Sequence, residues 1–257
     1  MPPDVSNEVL VVVTTFEGSR ERALILRKVL RHFRLKNRRP YRVLLISDGP
    51  VRSRALSRYV DYLFQTREPR GLQWGEHSSI QVALDFALAQ GYQYLLKMGG
   101  DIICNTEDWV AHFYRLLSGS GKPLLSTHWF APNSNIVGTR FFLARCDFLR
   151  AIYPPSPEPG GLEQSLTREL TRRFSLAEVA YLIDSPAGER HQTRDELQAV
   201  DWQHAHKIYR FKGLDAGRPI LVRAINSLLV YPGFRLLFNL RTLNPWRGSA
   251  WPWQGGG

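Results

Sequence analysis

The sequence predicts an α/β domain built on a mostly parallel central sheet flanked by helices, and three observations predict it. The run "VLVVVTT" at 9–15 is continuously apolar and rich in β-branched residues, the composition of a strand covered on both faces. Behind it, "SRERALILRKVLRHF" places Ala23, Leu24, Leu26, Leu30 and Phe33 near helical spacing, with Arg and Lys between them. Strand-like and helix-like segments then alternate through the first hundred residues, the order that βαβ units produce.

The second strand is "YRVLLIS" at 41–47, ended by the turn signal "DGP", and "RYVDYLFQ" supplies a third. "TREPRGLQWGEHSS" reads as a polar loop punctuated by Pro and Gly. "SIQVALDFALAQGY" reads as a helix stopped by Gly91, with Val82, Ala83, Phe86 and Ala87 on one face, and "YQYLLKM" as the next strand, running out at Gly99, Gly100 and Asp101. Asp108 helps to start the helix that follows Thr106. From about residue 123 the alternation loosens: "PLLSTHWF" and "TRFFLARCDFL" are strand material, and "EVAYLID" is a further strand. Between them, "GGLEQSLTRELTRRF" is a helix with an apolar stripe of Leu162, Leu166, Leu170 and Phe174. Residues 1–218 therefore read as one domain, and 219–257 as a basic, aromatic, amphipathic extension.

A chain of 257 residues with 44% hydrophobic and 22% charged residues can bury a full core, which excludes a disordered chain. Cys104 and Cys146 are too few for a disulfide framework and lack zinc-site spacing. The N-terminus has no basic region before its apolar run, so it reads as a first strand rather than a signal peptide, and the expected location is cytoplasmic. The net charge of +11 draws anions: nucleic acid, acidic headgroups or phosphorylated small molecules. Each arginine cluster taken singly reads equally as a solvated helix face. No zinc finger, RNP-like motif or aromatic platform accompanies the charge, so nucleic acid is disfavoured as a partner.

Open parallel sheets bind ligands outside the carboxyl ends of their strands. Those ends deliver Thr14, Thr15, Phe16 and Glu17 from the first strand, Asp48 and Gly49 from the second, and Gly99, Gly100 and Asp101 from the fourth. Three polar clusters are thereby expected on one edge.

The order "VVVTTFEGSR", "LLISDGP", "WGEHSSIQVALDFALAQGYQYLLKMGGDI", "GTRFFLARCDFLRAI" and "GGLEQSLTREL" resembles a family 2 type glycosyltransferase with the GT-A fold, over roughly residues 8 to 175. The resemblance implies a nucleotide-sugar donor, a carbohydrate or lipid-linked acceptor and a divalent ion, Mg²⁺ or Mn²⁺. It makes Thr15, Phe16, Glu17 and Asp48 nucleoside contacts, Asp101 the metal or ribose contact, and Glu163 the catalytic base of an inverting transfer. The family's acidic turn is Asp-x-Asp, and here Gly99 replaces the first acid. Three readings of the turn stay open: Asp101 holds an ion alone or with a later histidine such as His206, arginines neutralise the diphosphate, or the protein binds without catalysis. Glu163 near a helix start is favoured by the helix dipole with or without catalysis. His204 and His206 are two apart and would share a face of a strand. Arg223, Asn226, Pro232 and Arg235 interrupt the C-terminal apolar stretch too often for a spanning helix. It reads either as an interfacial helix that brings the enzyme to a membrane surface or as a helix packed on the domain.

Overall fold

The computed structural model describes residues 5–16, 20–51, 54–104, 106–128, 136–156, 161–183 and 202–204. The chain divides into two compact units, Met1–Ala205 and His206–Gly257, and every described residue belongs to the first. The expected boundary at 218/219 and the extension beyond it lie outside the described residues.

In chain order the elements are β1 (Val9–Thr15), α1 (Arg20–Lys36), β2 (Arg42–Ser47), β3 (Tyr62–Gln65), α2 (Leu72–Ala89), β4 (Tyr94–Gly99), β5 (Ile102–Cys104) and α3 (Trp109–Ser120). There follow β6 (Leu124–His128), β7 (Val137–Arg145), α4 (Cys146–Ile152), α5 (Leu162–Arg173), α6 (Leu176–Val179), β8 (Ala180–Ile183) and β9 (Trp202–His204). Seven strands form one sheet in the order β3-β2-β1-β4-β7-β6-β8, and β5 pairs with β9 in a separate ribbon. β3, β2, β1 and β4 are parallel; β7 runs antiparallel to both β4 and β6, and β8 is parallel to β6.

β1 is apolar throughout because both faces are covered. Leu10 and Val12 join Leu44, Ile46, Leu95 and Phe142 beneath Ile80, Ala83, Leu84 and Ala87 of α2, Leu149 of α4 and Leu162, Leu166 and Leu170 of α5. On the opposite face, Phe33 of α1 packs edge-on against Trp109 of α3, and Trp109 and Phe113 pack on Phe141 of β7. The sheet is thus the middle layer of three, as the run "VLVVVTT" requires.

Four local expectations change. Helix α2 starts at Leu72, so the loop expected over 66–79 is only about half as long. Its first turns look polar because Glu76 and His77 are used for buried polar contacts rather than for apolar packing. "TRFFLARCDFL" is strand only to Arg145, and Cys146 begins a short helix. Leu24 and Phe174 are exposed rather than on the buried stripes; Ile25 and Val29 hold the place given to Leu24, and the chain turns extended at Phe174. Asp108 does precede α3, but its carboxylate accepts from Arg38 N at 2.8 Å instead of capping the helix's own N–H groups. Both cysteines are buried and free. Among the described residues no helix is long and apolar enough to cross a membrane.

Candidate functional site

The three strand ends meet as expected, and backbone hydrogen bonds fasten them. Thr15 O accepts from Asp48 N at 2.9 Å, while Thr14 O accepts from Gly100 N at 2.8 Å, so the end of β1 is tied to the turns after β2 and β4. Gly100 is required by this closeness: a Cβ there would lie 3.0 Å from Thr15 Oγ1 and 3.1 Å from Leu26 Cδ1. Phe16 follows at the rim, 37% exposed, with the Arg22 guanidinium 5.5 Å from its ring centroid. Glu17 and His206 lie outside the described residues. His204 stands in β9 opposite Ile102, in the ribbon that continues from the Asp101 turn.

Asp48 is 8% exposed, and its carboxylate has work inside the fold. It accepts from Arg70 N at 2.9 Å and from Gly71 N at 3.2 Å, and so seats the first turn of α2. Gly75, one turn into that helix, has no room for a side chain, since a Cβ would run into Asp48 Oδ2. Sequence reasoning gave Asp48 only to a nucleoside. A carboxylate has about four acceptor sites, so two backbone donors leave capacity for a ligand.

At Gly99 the space a first acid would enter is bordered by the second: a Cβ built there lies 2.9 Å from Asp101 Oδ1. Among the described residues no group of three His, Cys, Asp or Glu could hold a metal ion. The donor set therefore fits an ion brought in with phosphate oxygens and water, with Asp101 as the protein's carboxylate, rather than a preformed cage.

Glu163 is placed by strand polarity. β7 is antiparallel to β4, so its beginning lies where β4 finishes: Met98 pairs with Phe141, which brings Thr139 and Arg140 level with the glycines. α5 starts after Gly161, whose φ of 98° is open to glycine, and its first turn carries Glu163 to Thr139, whose Oγ1 lies 2.8 Å from Glu163 Oε1. The glutamate thus joins the same edge as the ends of β1, β2 and β4.

Three residues that sequence reasoning missed stand behind it. Lys97 lies inside β4 with its side chain only 2% exposed, and its Nζ donates to Glu76 Oε1 at 2.6 Å and to Thr139 O at 2.5 Å. Thr139 Oγ1 also lies 3.0 Å from Glu76 Oε1. Burial works against the charge on Glu76, but the Lys97 ammonium and the hydrogen bonds from Lys97 and Thr139 outweigh it and hold the carboxyl below its usual range. Glu76 itself is fixed through its neighbour: His77 Nε2 lies 2.8 Å from Pro154 O, and Tyr153 Oη donates to His77 O at 2.8 Å. The signal in the sequence was the lysine, a single charge inside "YLLKM" with nothing nearby to explain it.

No protein-family model matches the sequence, nor does any curated protein. Among solved structures, S. aureus TarS in complex with UDP-GlcNAc matches 71% of this chain and 60% of its own, with 14% identity and a TM-score of 0.47. A cytidylyltransferase from Leptospira borgpetersenii matches 69% of this chain and 76% of its own, with 14% identity and a TM-score of 0.46. The mannosyltransferase PcManGT from Pyrobaculum calidifontis, solved in complex with GDP-Man and Mn²⁺, matches 69% of this chain at 14% identity with a TM-score of 0.51, and the match spans only 55% of that chain. The last of these likenesses bears on architecture alone: the chain has a GT-A-like α/β fold.

Proposed function

We propose that the protein is a glycosyltransferase that moves a sugar from a nucleotide-diphosphate donor to an acceptor hydroxyl with inversion at the anomeric carbon. The observation that supports this reading is the hydrogen bond from Thr139 to Glu163, with Thr139 level with the glycines that follow β4 and are tied to the end of β1. The fold shared with a mannosyltransferase that holds GDP-Man and Mn²⁺ supports it. Thr14, Thr15, Phe16 and Asp48 form the nucleoside side, and Gly99, Gly100 and Asp101 face the diphosphate. Asp101 would hold Mg²⁺ or Mn²⁺, which would supply positive charge against the donor's diphosphate.

In the transfer, the acceptor oxygen bonds to the anomeric carbon as that carbon's bond to the diphosphate oxygen breaks. The diphosphate leaves with the electron pair, and the acceptor's proton passes to the Glu163 carboxylate. One oxygen of that carboxylate is already held by Thr139, which restricts the side chain's rotation and lowers the entropy cost of reaching the attacking geometry.

A thermal-shift panel tests the reading, because a ligand that binds only the folded state raises its stability by mass action. UDP, GDP, dTDP or CMP, with and without Mn²⁺, is expected to raise Tm more than RNA or DNA oligomers do at physiological salt. Electrostatic binding to oligomers fades steeply as salt rises. Oligonucleotide affinity that survives salt, with no nucleotide moving Tm, overturns the enzyme reading.

A further inference from the structure

Resting on the reading of Glu163 as the base, we propose that Lys97, Glu76 and Thr139 are positioning residues that fix the Glu163 carboxylate through the one hydroxyl Thr139 sets between the two glutamates. Lys97 occupies a site on β4 between Leu96 and Met98 where an apolar side chain would pack without a desolvation cost. Burying an ion pair instead generally stabilises a fold no better than apolar residues of the same volume, so its presence calls for another role.

Two hydrogen bonds of the lysine lead to Thr139: one directly to its carbonyl, one through Glu76 to its hydroxyl. Thr139 is therefore gripped at backbone and side chain by groups from β4 and α2. Its hydroxyl carries a single proton and faces two carboxylate oxygens, Glu163 Oε1 at 2.8 Å and Glu76 Oε1 at 3.0 Å. Glu76 Oε1 already receives the Lys97 ammonium, which offsets its charge, so the one hydroxyl proton is shared between the two carboxylates. The positive charge of Arg140 favours the ionised form of Glu76 in the same sense as Lys97. Thr139 of β7 thus holds Glu163 of α5 while β4 and α2 hold Thr139, and among the described residues no side-chain hydrogen bond engages Glu163 Oε2, the oxygen left for the acceptor's proton.

The test uses the full chain carrying Thr139→Val or Thr139→Ser, each alone and combined with Glu163→Gln. Two quantities are read: release of nucleoside diphosphate from a panel of UDP- and GDP-sugars, as kcat and KM, and the urea midpoint of unfolding. Thr139→Val is expected to lower kcat about tenfold with donor KM nearly unchanged, the loss of one hydrogen bond to a charged group, and Thr139→Ser to recover most of it. On the Glu163→Gln background Thr139→Val should cost little more, and the two urea effects should be non-additive. A merely structural threonine would instead slow both backgrounds equally, with additive midpoints, and that result overturns the proposal. Slow Glu163→Gln beside a fully active Thr139→Val removes the positioning role alone. Glu163→Gln as fast as the parent removes the base, and the positioning role with it. If no donor in the panel is turned over, the urea cycle decides: coupling supports the clamp and additivity overturns it.

Discussion

The parallel strands β3, β2, β1 and β4 and the strands β7, β6 and β8 share one sheet, yet they furnish the edge that carries the candidate site by different means. On the parallel side the edge is made of chain turns and backbone groups: Asp48 N and Gly100 N bond to Thr15 O and Thr14 O, and the one buried carboxylate there, Asp48, holds α2. Where β7 joins β4 it is made of side chains that reach between elements, with Lys97 of β4 at their centre. Backbone hydrogen bonding follows from strand polarity and tolerates most side-chain changes. A buried network of charges does not, because each member left without its partner is a charge or dipole in a poorly polar setting.

The largest effect expected from breaking this contrast is on chemistry. Glu163→Gln keeps the shape of the side chain but loses the charge that strengthens its hydrogen bond from Thr139 and cannot accept the proton, so turnover should fall by about 10² to 10⁴ with donor binding near normal. Single-turnover kinetics beside donor titration separates the two quantities, and undiminished turnover reassigns Glu163 to the helix start.

Next comes stability. Lys97→Met should destabilise the protein by about 1–3 kcal/mol, since it strips Glu76, whose side chain is 27% exposed and still held by Thr139, of its charged partner, and adding Glu76→Gln should recover much of that loss. Urea unfolding of parent, single and double variants reads both numbers; a double variant no better than the single one contradicts the account of the network. Acid sharpens the same point. The folded Glu76 carboxyl titrates below its ordinary value near 4.5, so its stabilising contribution is complete above that pH and lost as pH falls through the lower folded value. The parent should therefore lose more stability below pH 4.5 than the double variant does.

The same contrast explains what could be read from the residues alone. β1, α1, β2 and β4 were legible because periodicity and apolar runs are local, and the strand-end rule then named Thr14, Thr15, Phe16, Asp48, Gly99, Gly100 and Asp101 without knowledge of any contact. Glu163 was named only by resemblance. Lys97, Glu76 and Thr139 were not legible as a group: Lys97 meets Glu76 across 21 positions and Thr139 across 42, and Thr139 meets Glu163 across 24. No spacing rule covers such distances. The start of α2 was missed for a related reason, since Glu76 and His77 face polar partners where a helix pattern expects apolar packing.

A smaller effect should come from Gly75→Ala, with a sign that general helix propensity gets wrong. In an exposed helix interior alanine is favoured over glycine by about 1 kcal/mol. Here the new methyl would displace the Asp48 carboxylate from Arg70 N and Gly71 N, leaving helix-start donors without their acceptor at a cost of about 1–3 kcal/mol. A net loss of about 1 kcal/mol in urea unfolding is expected; a gain shows that the carboxylate can move aside and that its bonds to α2 matter little.

The smallest effect on the folded protein, and the most informative about the ligand, belongs to Gly99. Its nearest obstacle is the end of the Asp101 side chain, which can swing, and the backbone there lies outside the positive-φ region, so a side chain at 99 should change stability by about 0.5 kcal/mol or less. Gly99→Asp then places a second carboxylate against the first. If the donor arrives with an ion at Asp101, two carboxylates bind that ion better than one, and Mn²⁺ should raise the variant's Tm more than the parent's and tighten donor binding. If arginines alone neutralise the diphosphate, the added charge repels the phosphates and weakens donor binding with or without Mn²⁺. Calorimetric titration of UDP and GDP into the parent and Gly99→Asp, in Mn²⁺ and in chelator, is expected to give the first result. Asp101→Asn should abolish the Mn²⁺ dependence in the parent and weaken it in Gly99→Asp, because its amide keeps the shape of the carboxylate but not the charge that holds a hard cation. Affinities that neither change alters would falsify the placing of Asp101 beside the diphosphate.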